Sequence, residues 1–112
     1  MKYALLIYIK PGTFEAMSED EREAVSREYF AIAEHPDCIG GDQLQPVQSA
    51  TTVRQDNGRA LITDGPFADT KEFLGGYYLF DSDDFDSVLE VAGRIPAARQ
   101  GGAIEVRPLV GH

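Results

Sequence analysis

Tyr3-Ala4-Leu5-Leu6-Ile7-Tyr8-Ile9, closed by Pro11-Gly12, is the stretch on which the fold turns. It is an uncharged apolar run of strand length, far short of the roughly 20 residues that a membrane helix needs. Successive side chains of a strand point to opposite faces. Leu5 and Ile7 therefore face one side of a sheet, and Leu6 and Tyr8 the other. A strand buried on both faces is expected, and the rest of the chain must cover both.

Working outward, Ser18 and Glu21 have the spacing of a capping box, in which each side chain answers an orphan amide of the first helical turn. A helix is predicted from Glu19, with Val25, Tyr29 and Ile32 as its inward stripe. It ends at His35-Pro36, because proline disfavours helix at the preceding residue. Ile39 to Pro46 is Gly-rich and then extended. Ser49 to Arg54 and Arg59 to Thr63 read as two strands joined at Asp56-Asn57-Gly58, with Asn-Gly the strongest short hairpin signal. Phe73 to Phe80 is an apolar strand with Gly75-Gly76 inside it, the mark of a bulge or of close approach. A second helix is predicted near Asp83 as its cap, with Phe85, Val88, Leu89 and Ala92 facing inward. Ala103 to Leu109 closes the chain as a strand, with Ile104 and Val106 on one face.

Strand, helix, strands, strand, helix, strand is the α+β, ferredoxin-like βαββαβ order with an inserted hairpin in the middle. The 112 residues suit a single domain, 1–112. Two helices cover one sheet face only. The other would be a larger apolar patch than a monomer tolerates, so a homodimer packed through the open sheet faces is expected.

Asp plus Glu number 19 against 10 for Lys plus Arg, a formal net charge of -9. Such a chain repels phosphate backbones and anionic lipid, which argues against nucleic acid and membrane as partners. Much of the acid sits at Glu19, Asp20, Glu21 and Glu23 and at Asp81, Asp83, Asp84 and Asp86, near helix starts, where the dipole favours it. A lone Cys38 forms no internal disulfide, and His35 and His112 make no zinc pattern. The opening stretch lacks a small-residue cleavage site, so a cytoplasmic protein is expected. No phosphate loop, dinucleotide fingerprint or hydrolase elbow is present, and no cofactor or metal is expected.

The string Asp64-Gly65-Pro66-Phe67-Ala68-Asp69-Thr70-Lys71-Glu72-Phe73-Leu74-Gly75-Gly76-Tyr77-Tyr78 resembles the DGPF subfamily of the YCII-related proteins. So do the opening Met1 to Tyr8, Gly40 to Pro46, Ala50 to Arg54, Arg94 to Arg99 and Glu105 to Pro108. The resemblance implies a dimeric α+β barrel. Other members of the family pair a His on the first helix with an Asp after the early strands as a proposed acid–base site. A few are dehalogenating or lyase-type enzymes acting on small aromatic rings. Here Tyr29 takes the His position and Asp64 matches the Asp. DGPF proteins also often accompany extracytoplasmic-function sigma factors, which implies an accessory role for some.

The candidate residues keep two readings each. Asp64 is an acid or base at a strand end, or the acceptor of its own Asx-type turn through Gly65 to Phe67. Tyr29 is a proton donor or a core tyrosine. Lys71 is an anchor for an anionic group or a solvated lysine, and Glu72 has the same choice between substrate contact and solvent. Asp42 faces the same cleft or the solvent. Gly75 and Gly76 admit a substrate or a close neighbour. His35 fits a helix end as well as a base. Cys38 has no basic neighbour to activate it. Two functions from different classes follow. One is a small enzyme using Asp64, Tyr29 and Lys71 on a small anionic or aromatic molecule. The other is a non-catalytic ligand-binding or regulatory module. A purely structural homodimer would show no cleft between helix and sheet.

Overall fold

The computed structural model describes residues 1–67 and 71–111. Ala68, Asp69 and Thr70 of the Asp64 to Tyr78 string, and His112, lie outside the described residues. Along the chain run β1 (Lys2–Ile9), α1 (Glu19–Ala33), β2 (Cys38–Gln43), a 3-10 turn (Val47–Ser49), β3 (Thr51–Asp56), β4 (Arg59–Asp64), β5 (Phe73–Asp81), α2 (Phe85–Arg94), a second 3-10 turn (Pro96–Ala98) and β6 (Ala103–Pro108).

The main sheet has the order β2-β5-β1-β6, and each neighbouring pair is antiparallel. With β3 and β4 set aside, this is the split βαβ arrangement the element order predicts. Tyr3, Leu5 and Ile7 of β1 join Tyr78 and Phe80 of β5 in one core with Ile32 of α1 and Val88, Val91 and Ala92 of α2. Both helices thus pack on the same face. Leu5 and Phe80 are fully enclosed there, and such burial stabilises by about 1.5–3 kcal/mol per side chain.

The opposite face carries Ala4, Leu6, Tyr8, Tyr77 and Leu79, all half-buried. The double-faced burial expected of β1 is therefore complete on one side only. Residues 1–9 do form the predicted strand, and α1 begins where the capping box places it. The Glu21 amide donates to Ser18 Oγ at 3.1 Å, and the Ser18 amide to Glu21 Oε1 at 3.4 Å.

The second helix departs from expectation by one residue. Asp84, not Asp83, caps it, accepting from the Ser87 amide at 3.2 Å. Asp83 instead lies 3.7 Å from the terminal amine. Its inward stripe is Val88, Val91, Ala92 and Ile95, the same period shifted along the helix. Phe85 and Leu89 remain exposed at its border, and the Phe85 ring lies 5.5 Å from that of Tyr3.

β3 and β4 pair with each other and with no strand of the main sheet. Asn57 and Gly58 both have positive φ, 51° and 78°, as a two-residue type I′ turn requires. The base of this arm is closed by Thr52 Oγ1 donating to the Gly65 carbonyl and the Gly65 amide donating to the Ala50 carbonyl, each at 2.7 Å. Beyond the base the ribbon stands in solvent. Val53 and Ile62, paired across it on one face, are 62% and 70% exposed. Among the described residues no helix is long and apolar enough to cross a membrane.

Candidate functional site

Glycine makes room under α1. The inward face of the sheet near its β2 edge presents Gly41, Gly75 and Gly76 where large side chains would fill the space. Gly41 has φ 143°, and a Cβ there would overlap the Tyr77 carbonyl oxygen. A Cβ on Gly76 would stand 2.9 Å from the Asp42 carbonyl oxygen. Gly75 is the extra residue where the β1–β5 register shifts, and a Cβ on it would overlap Ile9. These close approaches are the reason for the glycines that sequence alone left open between packing and substrate.

Between this bare patch and α1 opens a cleft of about 450 Å³, within the range of small-molecule sites. Val25, Tyr29 and Ala33 form its helical wall, Ile7 and Tyr78 belong to its sheet wall, and the exposed rings of Phe14 and Phe30 stand at its rim. Its charged lining among the described residues is Arg22 and Asp42. A smaller hollow of about 280 Å³ adjoins it through Ile9, Thr13 and Phe14 and runs toward Pro46 and Pro66.

One tyrosine of the cleft is tied to main chain through its hydroxyl. Tyr78 donates its hydroxyl to the Tyr29 carbonyl at 2.6 Å. Burial pushes the Tyr78 phenol up to about 12, with the neighbouring Tyr29 and Cys38 adding to it. The Tyr29 phenol is also raised, chiefly by burial, against the opposing effect of a hydrogen bond with the Ala97 backbone. Neither phenol ionises near neutral pH. Behind α1, Arg99 donates two 2.7 Å hydrogen bonds to Glu28. Those bonds hold the Glu28 carboxyl below its usual range and raise Arg99.

Arg22 is held differently. Its Nε donates to the Phe14 carbonyl at 3.1 Å, and its guanidinium lies 4.2 Å above the Phe14 ring. No spacing within α1 points to Arg22, because its partner Phe14 comes from the loop before the helix. Asp42 accepts from the Gln43 amide at 3.0 Å through one carboxylate oxygen and is otherwise exposed.

The sequence candidates divide. Tyr29, Asp42, Gly75 and Gly76 come together in the cleft. Asp64 does not: it ends β4 opposite Thr51, exposed, outside the lining. Its carboxylate makes no hydrogen bond among the described residues, so the Asx-type turn is not formed there. Lys71 is exposed and Glu72 half-buried, both outside the lining. His35 Nδ1 accepts from the Asp37 amide at 3.0 Å, and its ring packs 5.4 Å from Phe80, which makes it part of the helix end. The Cys38 thiol donates to the Gly40 carbonyl at 3.4 Å. Among the described residues no group of three His, Cys, Asp or Glu is placed to hold a metal ion.

Residues 1–111 match the family model of the YCII-related domain. The chain is 37% identical over 114 residues to an uncharacterized protein of Rhizobium meliloti, across 97% of this chain and 92% of that one. It is similar to the solved structure of 5-chloro-2-hydroxyhydroquinone dehydrochlorinase from Burkholderia phenoliruptrix, in complex with 2,5-dihydroxybenzoquinone. That similarity has a TM-score of 0.56 and 16% identity, over all of this chain and 96% of the other. At that identity the likeness shows the fold.

Proposed function

The chain belongs to the YCII-related family, and from that premise we propose that it is a small enzyme acting by acid–base chemistry on a small anionic or aromatic molecule held between α1 and the sheet. The observation that carries this reading is the 450 Å³ cleft, walled by aromatic and aliphatic side chains and furnished with the cation of Arg22 and the carboxylate of Asp42. The structural neighbour's named action on a small aromatic ring lends support.

Asp42 is the carboxylate within reach of a molecule in the cleft, so the acid–base part falls first to it. Tyr29 contributes its ring and its phenol proton. Asp64 and Lys71 take the roles of acid–base group and anchor only if a second copy brings the arm to the cleft. Pairing of two copies through the Leu6, Tyr8, Tyr77 and Leu79 face belongs to the same proposal.

One observation favours a non-catalytic ligand-binding or regulatory module, answering to a protein such as a sigma factor: the Tyr78 phenol is engaged by main chain, and the Tyr78 and Tyr29 phenols are both raised in pKa. A metabolite-binding screen on the full chain, followed by product analysis, separates the two. Turnover that falls at least ~100-fold in Asp42→Asn, the low end for a lost general base, supports the enzyme. Saturable binding with no product supports the module.

A further inference from the structure

We infer that Arg22 is the anion receptor of the cleft, and that the molecule taken there is an aromatic carboxylate or comparable oxyanion in preference to a neutral ring. This rests on the cleft being the ligand site. Arg22 is half-buried in a chain with 19 acids to 10 bases, where a partner carboxylate is easy to find. Glu19, Asp20, Glu21 and Glu23 all lie on the same two turns of α1. Yet among the described residues no carboxylate pairs with it. The residues four before and four after it, where helical ion pairs form best, are Ser18 and Ser26.

The guanidinium is nonetheless held. Its Nε is spent on the Phe14 carbonyl and its face on the Phe14 ring. Among the described residues nothing bonds the edge bearing the two terminal nitrogens, the edge that meets a carboxylate with two parallel hydrogen bonds. Ser26, one turn further along the helix, also lines the cleft and adds a hydroxyl donor on the same side. An aromatic acid placed there sets its anion on Arg22 and its ring against the apolar walls. Lys71, the sequence candidate for this anchor, lies outside the lining.

The test compares benzoate with benzamide, its neutral isostere, by calorimetry on the unaltered full chain. Amide shifts of Ser26 and Gly76 locate binding in the cleft. Benzoate is expected to bind at least ~10-fold more tightly, as a charge-assisted pair implies. The margin should shrink with added salt and vanish in Arg22→Gln, while Arg22→Lys keeps part of it. Equal affinity for the two probes, with Ser26 and Gly76 shifted by both, overturns the role of Arg22 and leaves the cleft reading standing. Failure of both probes to shift those amides at millimolar concentration overturns the cleft reading and this inference together. The first comparison uses no variant and so does not depend on how Arg22→Gln folds.

Discussion

The phenol of Tyr78 donates to the main-chain carbonyl of Tyr29 across 2.6 Å, tying β5 to α1 beside the cleft that both residues line. Tyr78→Phe deletes this bond and little else. The expected cost is about 1 kcal/mol, the net worth of an intramolecular hydrogen bond. Denaturant titration checks it as a lowered midpoint with an unchanged slope.

The same phenol makes stability depend on alkaline pH. A tyrosine in the unfolded chain ionises near its ordinary 10.0, and Tyr78 in the fold holds its proton to about 12. The stabilisation is therefore full below pH 10 and is lost as pH rises toward about 12, because only the unfolded chain releases the proton in that window. Tyr29, raised as well, acts in the same direction. Denaturant midpoints across this range should fall in the wild type and fall less steeply in Tyr78→Phe.

Two glycine substitutions should move stability in opposite directions. Gly41→Ala forces a Cβ into the Tyr77 carbonyl at φ 143° and should cost about 2 kcal/mol or more. Gly93 lies within α2 with open space where a Cβ would go. Gly93→Ala should raise stability by about 0.5–1 kcal/mol. Thermal melts of the two proteins read both signs directly.

Pairing through the open sheet face predicts a particle of twice the 12.3 kDa chain in light scattering. Leu6→Glu, which places a charge in the middle of that face, should return it to a single chain. A wild-type monomer at micromolar concentration would remove the dimer from the account.

Much of the fold was legible because its signals are local. The capping box at Ser18 and Glu21 and the Asn57-Gly58 turn are set by residues three apart or adjacent, and both formed as predicted. The cap of α2 is Asp84 rather than Asp83, because two neighbouring aspartates offer the same chemistry and the sequence pattern does not choose between them. The site was less legible because it depends on distance in space. Asp64 and Tyr29 share a chain but not a cleft, since the β3–β4 arm carries Asp64 off the main sheet. Arg22 gave no signal, because its meaning comes from Phe14 in a loop and from acids that fail to pair with it.

The most direct measurement of the central claim, that the space between α1 and the β2 edge of the sheet is the ligand site, is amide-shift mapping of the full chain against a panel of small aromatic acids. The account predicts that shifts gather at Ser26, Gly41, Gly76 and Tyr78. Shifts confined to the β3–β4 arm or to the open sheet face, with those four residues unmoved, would contradict it.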